Sequence, residues 1–220
     1  MDTYKVDIKH KWDYENGFYL TSDHTRIGKW MNHLKIYEQI THLPGDILEF
    51  GVYKGASFMR LLAFRDLMEC EDSRKVIGFD AFGKFPDDVQ LKSDKEFITS
   101  FEGNGGLGIS KEDLTELIRL KNISNFELIK GNILDTLPLY LEQNPHTKVA
   151  LLHIDVDVYE PTKRILELLW DRLVTSGILM LDDYATVEGE TRAVDEFFRD
   201  KKVTINKPPF YKVPSYIIKN

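Results

Sequence analysis

Five short apolar runs, at 46–50, 75–79, 126–130, 149–154 and 177–181, alternate with helix-like segments at about 56–69, 111–120, 134–143 and 160–172. Each run is apolar enough to be covered on both faces, as the strands of a parallel sheet are. Strand and helix taking turns in this way restrict the chain to an α/β fold with right-handed crossovers and a mainly parallel sheet. A helix is expected ahead of the first strand, from His24 to about Thr41, where Ile27, Trp30, Met31, Leu34, Ile36, Tyr37 and Ile40 recur at mostly helical spacing. Another is expected at 189–199, on Ala193, Val194, Phe197 and Phe198. Two late strands, near 203–206 and 214–218, are joined through Pro208-Pro209 with no room for a crossover helix. They predict an antiparallel hairpin at one sheet edge and seven strands in all. Pro44-Gly45 separates an N-terminal helical arm or lid, 1–44, from the main domain, 45–220. Residues 1–23 show no steady period, and the glycine- and phenylalanine-rich stretch 81–110 reads as a functional loop.

Composition narrows the function. With 220 residues and a net charge of −7, the chain is long enough for one sizeable core and poorly suited to nucleic acid. Cys70 is the only cysteine, which excludes an intramolecular disulfide and a thiolate metal cage. No apolar run approaches the roughly 18–20 residues of a membrane span, and Met1-Asp2-Thr3-Tyr4-Lys5 lacks the pattern of a signal peptide. A cytoplasmic protein with no membrane partner is expected.

Two of the apolar runs end abruptly in carboxylates: Leu151-Leu152-His153-Ile154-Asp155-Val156-Asp157 and Leu179-Met180-Leu181-Asp182-Asp183. The carboxyl ends of the strands form the ligand crevice of an open α/β sheet, so the four acids should collect there. Asp155 and Asp157 are two apart and face one way in an extended chain. Asp182 and Asp183 can reach one ion only if the chain turns after the strand. Carboxylates about 4 Å apart repel by roughly 4 kcal/mol at an effective dielectric of 20, so such a cluster protonates or recruits a cation. Oxygen ligands select Mg²⁺, with Mn²⁺ or Ca²⁺ as alternatives. The competing reading is that these aspartates cap helices, Asp157 above all, since Glu160-Pro161-Thr162 follows it.

Glu49-Phe50-Gly51-Val52-Tyr53-Lys54-Gly55 follows the first strand and opens a helix. A dinucleotide fingerprint would need glycine at the position of Tyr53. The spacing acidic-x-Gly-x-x-x-Gly is instead one that holds S-adenosylmethionine, with the carboxylate near the charged amine of its methionine part. Asp80, at the end of the second strand, is placed to accept from ribose hydroxyls. Phe82 and Phe85 either wall that pocket or pack in the core. Beside such a cofactor, a cation would acidify an otherwise unreactive hydroxyl, and a free carboxylate would take its proton.

The segments Asp155-x-Asp157-x-Tyr159-Glu160-x-Thr162 and Asp182-Asp183-Tyr184 resemble the macrocin and mycinamicin O-methyltransferase group. Glu49 to Ser57, Asp80-Ala81-Phe82-Gly83-Lys84-Phe85-Pro86 and Gly131-Asn132-x-x-Asp135-Thr136-Leu137-Pro138 match further blocks. The resemblance implies a Rossmann-like class I methyltransferase, with helices on both faces of the sheet and N-terminal helices closing over the site. It implies Mg²⁺ on Asp155, Asp182 and Asp183, with Asp157 as general base. It implies a cofactor site lined by Glu49, Gly51, Tyr53, Gly55, Ser57, Asp80, Phe82, Gly131, Asn132 and Asp155. It also implies a sugar hydroxyl as acceptor and a homodimer. The Lys-, Asn- and Ile-rich usage points toward a nucleotide-linked sugar or surface-polysaccharide precursor rather than a macrolide glycoside. Two other functions remain open: methylation of a catechol-like phenol, and ligand binding without catalysis. His153 is expected to be a hydrogen-bonded core residue rather than a ligand, and His24 and His33 to be exposed. Trp12, Tyr14, Phe18 and Tyr19 are expected to staple the arm to the domain rather than to stack on a ligand.

Overall fold

The computed structural model describes residues 6–86 and 89–220. Strands β1 (Asp46–Phe50), β2 (Val76–Asp80), β3 (Phe126–Lys130), β4 (Val149–Ile154) and β5 (Leu173–Leu181) pair in parallel. β6 (Ser215–Ile218) lies antiparallel on β5 and completes the order β3-β2-β1-β4-β5-β6. The helices that pack on this sheet are α2 (His24–Tyr37), α3 (Ala56–Met68), α5 (Lys111–Leu120), α6 (Ile133–Gln143), α7 (Tyr159–Leu169) and α8 (Glu188–Phe198). Alternate residues of each strand feed two cores. Leu48, Phe50, Phe79, Leu152 and Leu181 face α6, α7 and α8, whereas Ile47, Val76, Leu151, Ile178 and Met180 face α2, α3 and α5. The fold is thus a Rossmann-like α/β sandwich with helices on both faces.

The sheet has six strands among the described residues, not seven. Residues 203–206 form no strand, and only Asn206 makes a bridge, to Tyr216. Pro208 and Pro209 have no N–H to donate, and the chain beyond them is drawn away to α2. There Asn32 Nδ2 donates to the carbonyls of Tyr211 and Val213 at 2.9 and 2.8 Å, and Asn32 Oδ1 accepts from the Phe210 N–H at 3.2 Å.

Two helices appear where no period was legible. α1 (Lys11–Thr21) buries no residue, so nothing imposes a pattern on it; Trp12, Tyr14, Phe18 and Tyr19 are exposed rather than buried against the domain. α4 (Lys92–Gly105) interrupts the expected loop and buries only Asp94. Asp94 Oδ2 accepts from the Tyr159 N–H at 2.8 Å, which caps α7 from outside. Asp157 therefore does not cap that helix; its N-cap is Val158.

Sequence order along the sheet reverses between β1 and β4, the switch point at which open α/β sheets bind ligands. The two strand ends touch there. Gly51, at φ +90°, leaves no space for a Cβ, which would overlap the backbone oxygen of Asp155. Gly51→Ala is expected to lower the unfolding free energy by about 2–4 kcal/mol, read from urea denaturation. Gly17→Ala, in exposed α1 with open space around it, serves as the control and should be neutral or slightly stabilising. Equal effects of the two would show that the strand ends are free to part.

Candidate active site

A cavity of about 540 Å³ opens at the carboxyl ends of the strands. Gly51, Tyr53, Ser57, Asp80, Gly131, Asn132, Asp155, Asp157, Asp182 and Asp183 line it. Its glycine side is held by Asp80. Asp80 Oδ2 accepts from the N–H groups of Val52 and Tyr53 at 2.8 and 2.9 Å, and Oδ1 from Phe82 at 2.5 Å. This ties the turn after β1 to the turn after β2. Tyr53 adopts φ 52°, and its ring packs on Phe101 with centroids 5.1 Å apart, while Phe101 also meets Phe85 at 5.8 Å. An aromatic wall results. Asn132 caps α6 by accepting from the Leu134 N–H at 3.0 Å.

Three residues expected at the cofactor do not line the cavity. Glu49 is wholly buried behind the strand end, with Oε1 3.2 Å from His153 Nδ1. Gly55, at φ +83°, starts α3 against Leu114. Phe82 turns into the core, whereas Phe85 does line the cavity.

The acidic side is assembled by two turns. β4 ends at Ile154, and Asp157 sits in the left-handed region at φ 64°, so turn geometry rather than strand alternation brings it to the cavity. After Leu181 the chain turns at once: the Asp183 carbonyl accepts from the N–H groups of Thr186 and Val187, both at 2.9 Å. Both aspartates consequently face the cavity. The Asp183 N–H donates to the buried Glu190 at 3.0 Å. Asp155, Asp182 and Asp183 each present an oxygen within 4.8 Å of the others. Asp182 Oδ1 and Asp183 Oδ2 are buried and accept no hydrogen bond. Orphaned carboxylate oxygens around one point suit a hard divalent cation.

The charges sort themselves accordingly. Burial and the neighbouring Asp155 push Asp157 up to about 7. Burial, together with Asp157 and Asp182, pushes Asp183 to about 8. Burial and Asp182 also raise Asp155 well above the carboxylate range. Asp182 goes the other way: burial opposes its charge, but His153, His33 and Lys29 more than offset that. Lys29, on α2, donates to Asp182 Oδ2.

His153 Nε2 and His33 Nε2 lie 3.6 and 3.7 Å from Asp182 Oδ1, without hydrogen-bond geometry. Burial works against a charge on His153, but its closeness to Asp182 and Glu49 pushes it to about 10. Burial drives His33 down to about 4. His153 is thus a core residue held by ion pairing. His33 is 1 % exposed rather than open to solvent. α2 turns Asn32, His33, Ile36 and Tyr37 inward, and Trp30 outward. Arg26, Lys29 and His33 follow one another at i, i+3 and i+7, a polar stripe that the sequence displays. Arg26, Lys29, Arg60 and Glu190 are the site residues that sequence reasoning passed over, and His33 is the one it placed in solvent.

The profile of the macrocin O-methyltransferase (TylF) family matches residues 19–212. The demethyldecarbamoylnovobiocin O-methyltransferase of Streptomyces niveus is 26 % identical over 229 aligned positions, covering 95 % of this chain and 81 % of that protein. A Streptomyces olivaceus enzyme, 8-demethyl-8-(2,3-dimethoxy-alpha-L-rhamnosyl)-tetracenomycin-C 4'-O-methyltransferase, is 31 % identical over 150 positions, covering 65 % of this chain and 54 % of that protein. The solved structure of the O-methyltransferase NovP shares the fold, with a TM-score of 0.76 at 24 % identity over 88 % of this chain and 80 % of that one. Fold, cleft and sequence agree, and this chain belongs to the macrocin O-methyltransferase family of S-adenosylmethionine-dependent methyltransferases.

Proposed function

We propose that this chain transfers a methyl group from S-adenosylmethionine to a sugar hydroxyl. The acceptor is a nucleotide-linked deoxysugar, a glycoside or a surface-polysaccharide precursor, and Asp155, Asp182 and Asp183 hold a divalent cation, Mg²⁺ first. The observation that carries this reading is the convergence of those three carboxylates, two with orphaned buried oxygens, on the cavity lined by Gly51 and Asp80. Both relatives named above are, by their names, O-methyltransferases, and the name of the second includes a rhamnosyl group.

The chain's own groups divide the work. The turn at Gly51 admits the cofactor close to the backbone. Asp80 spends about three of its four acceptor sites on backbone N–H groups and has one left, on Oδ1, for a ribose hydroxyl. The wall of Tyr53, Phe85 and Phe101 covers the cofactor and excludes water. When bound, the cation lowers the pKa of an acceptor hydroxyl and fixes its oxygen. Asp157 takes the hydroxyl proton on a carboxylate oxygen as the oxygen gains the methyl group and S-adenosylhomocysteine leaves. His153, Glu49 and Glu190 touch no ligand; they orient Asp182 and Asp183 from behind.

The test is methyl incorporation from labelled S-adenosylmethionine into a panel of nucleotide deoxysugars, macrolide glycosides and lipid-linked sugars. Turnover of a sugar supports the reading, and turnover of catechols alone would overturn it. Dialysis against EDTA should abolish activity and Mg²⁺ should restore it. Calorimetry should show Mg²⁺ binding that Asp183→Asn loses. Full activity after EDTA treatment would remove the cation from the mechanism.

A further inference from the structure

Lys29 already supplies a positive charge to the carboxylates that the proposed divalent cation would bind. Its ammonium, carried by α2, donates to Asp182 Oδ2 and lines the same cavity as Asp155, Asp182 and Asp183. Burial weighs against a charge at this place. The pull of Asp182, then of Asp155 and Asp183, more than offsets that and raises the Lys29 pKa. One ammonium thus faces all three acids.

Asp182 meets a different neighbour on each oxygen. Oδ1 is turned to the buried rings of His33 and His153, at 3.7 and 3.6 Å, and Oδ2 holds Lys29. The histidines are enclosed in the core. Lys29 instead borders a cavity of about 540 Å³ and sits on a flexible four-carbon stem. Its side chain can swing while α2 stays in place, because Asn32, three residues on, is bonded to the Tyr211 and Val213 carbonyls at 2.9 and 2.8 Å. A divalent ion drawn to the three carboxylates repels an ammonium held against one of them. Of the groups around Asp182, Lys29 is the one with room to leave.

Resting on the reading of a cation-dependent methyltransferase, we infer that Lys29 is a positioning residue of the cation site. Its ammonium holds Asp155, Asp182 and Asp183 together before a divalent ion arrives, and leaves Asp182 when the ion binds. Loading the site is therefore an exchange of one cation for another. The carboxylates are kept from splaying apart by their own repulsion, and the ion binds more weakly than it would to the same acids without the lysine. After the exchange the three N–H donors of Lys29 point into the cavity. The competing arrangement keeps Lys29 on Asp182 beside the bound ion, as a fixed support.

Two measurements on the intact protein separate exchange from support. In the first, wild-type protein is acetylated briefly with an amine-reactive ester, with and without saturating Mg²⁺ at matched ionic strength, and the modified lysines are mapped by mass spectrometry. Lys29, with 14 % of its side chain exposed, should react slowly beside Lys35, at 60 %. Mg²⁺ should speed the labelling of Lys29 by about tenfold or more, the size of a typical coupling between two sites, and leave Lys35 unchanged. In the second, Mg²⁺ is titrated calorimetrically into the wild type, Lys29→Met and Arg60→Gln. Arg60 is also attracted by Asp182, Glu49 and Asp155, so it reports what the loss of any nearby positive charge does. Lys29→Met should bind Mg²⁺ at least about tenfold more tightly than the wild type, and Arg60→Gln at most about threefold. Melting temperatures show that the variants fold, and Lys29→Gln replaces a methionine variant that does not.

Mg²⁺ binding that leaves the labelling of Lys29 unchanged would show ammonium and ion sharing Asp182, and would overturn the inference with the cation reading intact. A gain of affinity in Lys29→Met no greater than that in Arg60→Gln would reduce the effect to diffuse charge and overturn it as well. Wild-type protein that binds S-adenosylhomocysteine but no Mg²⁺ would remove the cation from the proposed function, and this inference with it, while methyl transfer itself would stand.

Discussion

Asp182→Asn is expected to lower the unfolding free energy by about 3–5 kcal/mol, the cost of stripping a buried ion pair of one partner, and to remove divalent-cation binding. Asp182 is 3 % exposed and is the counter-charge for Lys29, with His153 and His33 on its other oxygen. Asparagine keeps the shape and removes the charge, which leaves the Lys29 ammonium largely buried among groups that no longer neutralise it. The reference is the double variant Lys29→Met/Asp182→Asn. Removing the stranded cation should recover at least about 1 kcal/mol of the loss, since residues in contact couple in a double-mutant cycle. Urea denaturation supplies the stabilities, and Mg²⁺ calorimetry the binding. A stability change under about 0.5 kcal/mol, the size of an ordinary surface substitution, would mean that the ion pair carries no weight.

Asp157→Asn should act on the chemistry with little effect on the fold. Asp157 holds a φ of 64°, which asparagine tolerates as readily as aspartate. The substitution therefore keeps the turn while abolishing the proton acceptor. A fall in kcat of about 10²–10⁴ is expected, with S-adenosylhomocysteine affinity and melting temperature close to wild type. Asp157→Ala adds backbone strain of about 1–2 kcal/mol and should lose stability as well. Retention of full kcat in Asp157→Asn would shift the role of base to another group.

The contrast between these two aspartates explains what the sequence could and could not disclose. The carboxylates were legible because each closes an apolar run, and runs such as Val149–Ile154 and Phe126–Lys130 are strands over their full predicted length. Local pattern and tertiary role coincide there. They agree only in part on and just after α2: of the apolar positions Ile27, Trp30, Met31, Leu34, Ile36, Tyr37 and Ile40, the last three are fully buried, Ile27, Met31 and Leu34 are half-buried, and Trp30 is exposed. The helix also turns Asn32 and His33 inward, because the Tyr211 and Val213 carbonyls and Asp182 supply partners that lie far away in the chain. Lys29 and Arg26 reach the cavity as a consequence of that rotation, whereas Arg60 reaches it from α3. α4 escaped notice for a different reason: a helix that buries only Asp94 leaves almost no apolar signature. Residues 203–206 failed as a strand because the following prolines and the pull of Asn32 end the pairing after a single bridge.

The link from Asn32 to Val213 spans 181 residues. During synthesis the chain emerges N-terminus first, at about 5–20 residues per second, and β1 to β3 have their pairing partners long before that link can close. α2 must therefore wait, with its inward-facing amide and imidazole exposed, until the chain as far as Val213 has left the ribosome. The helix that carries Lys29 and Arg26 is made early and seated late, so a nascent chain stalled before Tyr211 would have a folded sheet edge while α2 still lacked the partners that hold it beside the cavity.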